Sequence, residues 1–465
     1  MRRTFLFPAI ASALVLSGCL KGPNYSRPKL DIPEVYHAPG NAAPAGQVES
    51  LGNAKWWTVF EDQELQKLIR TALAQNFDLR IAATRVLQAR EAVTIARSNQ
   101  YPTLSGGVQV TGTRTPGANG GAVTTYNVPE VGIAGSWDVD FWGKYRRLTE
   151  AARAELMASE WGRRAVVNSL VSSVASAYFG LRELDLELEI SRRALATRQD
   201  SLQLTRTLVE GGAAPLSDQR QAEQLVETAA AAIPDLERAI EQQENAINIL
   251  LGRNPGAAIE RGLRLAEQPI PQSPPAGIPS ALLGRRPDIA QAEQNLIAAN
   301  ARIGVARAAF FPDISLTGIG GVASGSLTTL FRGASRAWTY TGSVMEPIFT
   351  KGRLQANLRL AEAQRDEALL AYQQTIQLSF RDVSDALIAY QKLRESRIHQ
   401  ERLLAAARDA AALSRVRYQG GATSYLEVLT TETNNYSAEL GLAGAVLRER
   451  LTLVSLYNAL GGGWE

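Results

Sequence analysis

From Arg353 to Gln419 the chain runs 67 residues without a Gly or a Pro. Ala, Leu, Gln, Arg and Glu dominate the run, and these residues lose least on entering a helix. Leu369, Tyr372, Ile376, Phe380, Val383, Leu387 and Tyr390 follow one another in steps of three and four, which places them on one helical face. At ~1.5 Å per residue such a helix extends roughly 100 Å, more than one compact domain can enclose. The rest of its surface is polar or Ala-rich, which excludes a membrane span. A coiled coil or tether would use a helix like this, and so would one stave of a long helical tube.

The chain contains itself twice, and this favours the tube. Asp78 to Pro102 is answered by Asp288 to Pro312, with Ala96-Arg97 matching Ala306-Arg307 and Tyr101-Pro102 matching Phe311-Pro312. Phe141 to Lys144 corresponds to Phe349 to Gly352, Val209 to Ala213 to Tyr418 to Ala422, and Leu251-Gly252 to Leu460-Gly461. The offset stays close to 209 residues throughout. The counterpart of the first helix is therefore Lys144 to Glu210, again 67 residues, with Gly162 and Gly180 as its weak points.

The division that follows is a leader over 1–18, an extended segment and belt over 19–60, and repeat 1 over 61–252. A crossover linker over 253–286 carries six prolines, and repeat 2 occupies 287–465. Each repeat reads as helix, two strands, long helix, Gly-Gly turn and return helix. Glu61 to Asn99 reads as the first helix, with Leu65, Leu68, Ile69, Leu73, Leu79 and Val86 facing inward. Pro287 suits the first turn of its counterpart. The return helices are Ser217 to Leu251, with a kink expected at Pro234, and Tyr425 to Leu460.

Arg2-Arg3 and the apolar stretch Phe5 to Leu16 form an export signal too short to span a bilayer. Leu16-Ser17-Gly18-Cys19 resembles the lipobox of bacterial lipoproteins, which implies that Cys19 becomes an acylated N-terminus. Two or more acyl chains give a stable anchor. Leu20, where inner-membrane lipoproteins typically carry Asp, directs the expectation to the outer membrane. Without the leader the chain has 47 basic and 46 acidic residues, a balance that gives no reason to expect nucleic acid as a partner. One Cys and two His exclude a disulfide framework and a structural zinc site.

Over 103–141 and 313–349 the hydrophobic period changes to two. Val108 and Val110 alternate with Gln109 and Thr111; Val131, Ile133, Trp137 and Val139 oppose Gly132, Ala134, Ser136 and Asp138. Aromatics gather at the strand ends, as they do at a membrane–water interface. A soluble sheet with one buried face would share the alternation, but export and the aromatic ends favour a membrane barrel. Four strands cannot close around a channel, and open edges cannot stand in lipid. Three subunits would supply twelve.

No catalytic constellation emerges. His37 and His399 lack the spacing of a triad or a metal site, and no Gly-rich phosphate loop is present. The two Gly-Gly turns carry more. Asp218 lies six residues beyond Gly212, and Glu427 six beyond Gly421. In a trimer they become two rings of carboxylates, which would favour cations at a constriction. Equally, an acid there complements the return helix's dipole.

Leu282-Leu283, Arg285 to Ile289, Ala301 through Leu316, both Gly-Gly tips and the ending Ala459 to Trp464 resemble the outer-membrane efflux proteins. These are the TolC-like outer membrane factors, and the lipoprotein branch is nearest. The resemblance spans the mature chain. It implies an α+β membrane protein, internally duplicated, with a long α-helical periplasmic barrel and a transmembrane β-barrel completed by trimerisation. It implies a passive exit duct for drugs or other small molecules, with no cofactor beyond the lipid on Cys19. Its partners would be outer-membrane lipid, a periplasmic adaptor and a proton-driven inner-membrane transporter. Asp218, Glu427 and Tyr418 match the family's aperture positions. Gly211, Gly212, Ala213, Gly420, Gly421 and Ala422 match the adaptor-contact region. Thr423 and Thr430 stand where some members carry charged residues, which suggests fewer polar links at the closed tip. An exit duct for type I protein secretion, a non-conducting tether and a peptidoglycan-active enzyme are the competing readings.

Overall fold

The computed structural model describes residues 20–30, 32–37, 50–116, 122–269, 277 and 279–464. Cys19 lies outside them. In chain order the helices are α1 (Trp56–Val59), α2 (Gln63–Gln75) and α3 (Phe77–Ser98), then strands β1 (Thr103–Thr115) and β2 (Thr124–Asp138). Next come α4 (Lys144–Glu210), α5 (Leu216–Leu250), α6 (Pro279–Arg285) and α7 (Pro287–Ala308). Strands β3 (Asp313–Ala323) and β4 (Arg336–Met345) precede α8 (Arg353–Gln419) and α9 (Tyr425–Ala459). The two long helices have the bounds that their composition predicts. α5 passes through Pro234 without interruption.

The expected single helix from Glu61 to Asn99 is instead α2 and α3. Asn76 makes the break. Its Oδ1 accepts from the Leu79 amide at 3.0 Å and caps α3, while its Nδ2 donates to the Leu250 carbonyl at 2.9 Å. In repeat 2 the matching break falls between α6 and α7, where Pro287 lacks the amide hydrogen a continuous helix would need.

The chain forms two compact units, each drawing segments from both repeats. The first comprises Met1–Lys29, Arg85–Glu160 and Gln291–Gln373. It holds one antiparallel sheet in the order β1-β2-β3-β4. The register puts Val108 opposite Val131 and Val131 opposite Val322, and aligns Trp137 with Leu316 and Ile314 with Val344. One face therefore collects Leu104, Val108, Ile133, Leu316, Trp338 and Tyr340. The other face is polar; there Thr103 meets Ser136 at 2.8 Å and Ser315 meets Ser343 at 2.6 Å. Among the described residues β1 and β4 are the unpaired edge strands, and β4 is exposed along its whole length.

In the same unit a strap following Leu20 is fastened at several points. The buried Arg147 donates to the Lys21 carbonyl, the Gly22 carbonyl and Asn24 Oδ1 at 3.1, 3.2 and 2.8 Å. Lys21 Nζ sits 4.6 Å from the centre of the Phe311 ring, which stacks on Trp142. Tyr25 and Arg27 both donate to Glu293.

The second unit comprises Leu30–Thr84, Trp161–Ala290 and Gln374–Glu465. Leu65, Ile69, Tyr178, Leu181 and Tyr457 are fully buried in it, and Val86 is buried in the first unit. Leu68, Leu73 and Leu79 are only partly covered. Asp62 organises the second unit's belt. It caps α2 through the Glu64 amide and accepts from the Tyr178 hydroxyl, the Leu263 amide and Gln268 Nε2. A buried carboxylate with this many donors costs little, because every lone pair is used. Among the described residues no helix is long and apolar enough to cross a membrane.

Candidate functional site

The second unit contains two helical hairpins, α4 from Trp161 onward with α5 and α8 from Gln374 onward with α9, and the candidate site is built at their turns. Each long helix ends in the same six-residue cap. Ala213 N–H donates to the Leu208 carbonyl and Gly212 N–H to that of Val209; Ala422 and Gly421 do the same to Arg417 and Tyr418. Gly212 and Gly421 stand at φ +72 and +70, where any other L-residue is strained, so a Gly is required at the position after the cap. Gly211 and Gly420 differ. Their φ is not positive, and a Cβ would meet only carbonyls one turn back, at 3.4 and 3.6 Å. Nothing in their own chain demands the absence of a side chain.

Asp218 and Glu427 each occupy the third position of a return helix, whose free amides carry partial positive charge. The dipole reading of these acids is thus met by their placement. Ser424 and Glu427 have capping-box spacing, yet Ser424 makes no side-chain cap. Glu427 instead accepts from Arg417 Nη1 at 2.9 Å with one oxygen and from Thr423 Oγ1 with the other. Thr423 therefore supplies a polar link within its own hairpin. Thr430 bonds backward, to the Leu426 carbonyl. Asp218 makes no ion pair among the described residues; Ser217 Oγ approaches it at 3.4 Å.

Tyr418 does not stand free at the turn. It packs with Leu202, Ala222, Val226, Tyr425 and Val428, a cluster fed by all four helices. Its ring meets Tyr425 edge-on at 5.3 Å. Burial raises both phenols above their ordinary range, and the charge of Asp218 adds to the rise at Tyr418. Tyr418 and Asp218 are thus brought within electrostatic reach, while Glu427 is engaged within its own hairpin.

Sequence reading missed the arginines. Arg417–Glu427, Arg415–Glu432, Arg408–Glu439 and Arg397–Glu449 lace α8 to α9. Arg206–Glu223 and Arg192–Glu237 lace α4 to α5. In every pair the acid lies three to six residues farther from the Gly-Gly turn than its arginine, so folding the sequence about the short segment just after that turn would have found them. Arg198 is 4% exposed; it donates to the Leu225 carbonyl at 3.0 Å and covers the Tyr436 ring at 4.9 Å. Burial lowers its pKa, and the ring face offsets part of that cost. No group of three or more His, Cys, Asp or Glu that could hold a metal occurs among the described residues.

Residues 68–253 and 278–462 match the family model described as outer membrane efflux protein. The chain is 36% identical over 456 residues to the cation efflux system protein CusC of Escherichia coli, covering 97% of each chain. It is 34% identical over 475 residues to the toluene efflux pump outer membrane protein TtgC of Pseudomonas putida, covering 100% of this chain and 96% of TtgC. The solved open state of the MtrE outer membrane channel of Neisseria gonorrhoeae has a TM-score of 0.86 and 34% identity, covering 96% of this chain and 99% of MtrE.

Proposed function

The chain belongs to the outer membrane efflux protein family, and on that premise we propose that three copies assemble into the exit duct of a tripartite efflux pump. It is an outer-membrane channel reaching into the periplasm, and no enzyme. The sheet is the observation that carries the assembly. Among the described residues it has an apolar face, a polar face and two edges without partners. In lipid every strand edge must be paired, and β1 of one copy against β4 of the next closes a ring. Three copies give twelve strands, within the usual range for such barrels. The apolar face then meets lipid and the polar face lines the lumen.

Cys19 would carry the lipid anchor. The strap after Leu20 fits that role, because it ties the chain to Trp142, Arg147 and Phe311 at the foot of the sheet. A periplasmic adaptor would grip the turns at Gly211, Gly212, Ala213, Gly420, Gly421 and Ala422. A proton-driven inner-membrane transporter would supply the energy. CusC is named for cations and TtgC for toluene, and the chain resembles both almost equally. Cargo choice therefore rests with the transporter, and the duct passes drugs or other small molecules without a dedicated ligand site.

At the turns, Asp218, Glu427 and Tyr418 would form the closed aperture. Arg417 offsets the charge of Glu427, so Asp218 contributes more to cation preference. Planar-bilayer recordings test this. Replacing Asp218→Ala and Glu427→Ala together should raise basal conductance or lower cation preference, with most of the selectivity change traceable to Asp218. Current and selectivity equal to the parent protein's would remove both residues from the aperture.

A further inference from the structure

We propose that each seam between neighbouring copies carries, at its outer end, a binding site for a phosphate-bearing lipid headgroup, built from Arg114 of one copy and Arg336 of the next. The inference rests on the trimeric barrel. Five charged residues lie in the strands, and they divide by face. The register puts Glu130, Asp138 and Asp313 on the polar face, with Ser136 and Ser315. It puts Arg114 and Arg336 on the apolar face, with Val108, Val322 and Trp338. Both arginines are exposed, and neither makes an ion pair among the described residues.

A charge on the lipid side of a strand is costly at mid-bilayer and nearly free at the interface. Arg114 is the second-last residue of β1 and Arg336 the first of β4. Both therefore stand at the strand ends remote from the helices, level with the outer headgroups. β1 and β4 are also the edges that pair across copies. Their faces must match, so the seam register moves only in steps of two. Aligning the outer ends of both strands sets Arg336 opposite Arg114 or diagonal to it, within about 8 Å. Two guanidiniums at that spacing repel, and no strand acid shares their face. A phosphate between them removes the repulsion and takes paired N–H donors from each. Trp338 and Tyr340 follow on the same face, stacked with ring centres 5.7 Å apart. They are 73% and 77% exposed and offer an apolar wall along which the lipid's acyl chains run.

Native mass spectrometry of the full-length protein in detergent, titrated with a diphosphorylated glycolipid (lipid A), tests the site. The parent trimer should take up one lipid per seam. Arg114→Ala and Arg336→Ala should each weaken uptake about tenfold or more, as loss of a charge-assisted phosphate contact does. Glu130→Gln changes the net charge by as much on the lumen face and should leave uptake unchanged. The dephosphorylated glycolipid should bind the parent no better than the phosphorylated one binds the Ala variants. Equal uptake with and without phosphates, or undiminished uptake by both Ala variants, would overturn the site. Displacement of the lipid by an equal concentration of inorganic phosphate would contradict a lipid ligand. Should an Ala variant fail to form trimers, the comparison of the two glycolipids on the parent decides. A parent trimer that takes up no lipid sinks this inference alone, whereas a monomeric parent removes the barrel beneath it.

Discussion

Glu183 shows how far a single charge depends on residues distant in sequence. It lies one turn from Glu187 on α4 and faces Gly444 and Arg448 of α9. Burial, then the charge of Glu187, pushes its carboxyl up to about 7, with Arg448 acting in the opposite direction. Burial also raises Glu187. A carboxyl whose pKa is higher folded than unfolded binds more protons in the folded state. Its favourable contribution is complete below the ordinary range near 4.5 and is lost as pH rises through about 7. Glu183→Gln should therefore stabilise the protein at pH 8 and not at pH 4, by on the order of 1 kcal/mol after allowance for solvent screening. Thermal unfolding at the two pH values checks this, and an equal effect at both would contradict it. Neither Arg448 nor the burial could be read from the residues around Glu183. The tip acids were easier to find, because a Gly-Gly turn and a fixed spacing mark them. Their partners were not, since Arg417 and Thr423 have no signature until the hairpin is closed.

At the scale of elements, the long helices were legible because composition and period agree over 67 residues. The strands were legible from alternation alone. The helix break at Asn76 was hidden, because Asn interrupts a helix only when its side chain finds a cap and a partner, here the Leu79 amide and the Leu250 carbonyl. Pro287 marks the equivalent break by covalent geometry. The helix ends offer a paired test of structure against recognition. Gly212→Ala and Gly421→Ala place a side chain at positive φ and should each cost about 1 kcal/mol of stability. Gly211→Ala and Gly420→Ala should leave the melting temperature within about 2 °C, yet, if the proposed adaptor contact is made there, weaken binding of the adaptor by adding bulk. Undiminished adaptor binding by the Gly211→Ala, Gly420→Ala protein would free those two positions from the contact.

For the whole molecule, internal duplication was the most informative signal, since it fixed the order of elements in both halves. It did not reveal that each compact unit draws from both repeats, because that depends on how helices pair in space. Nor did it reveal the strap, whose Lys21 to Arg27 carry no periodicity and dock through backbone carbonyls and Arg147. The central claim is that the β1 and β4 edges are completed by other copies. Native mass spectrometry of the protein extracted from outer membranes tests it most directly. The expected species is a trimer whose subunits begin at Cys19 and are each heavier than the polypeptide by covalently attached acyl groups. Trimers without that added mass would remove the anchor and keep the duct. A stable monomer would leave two strand edges open in lipid and contradict the account.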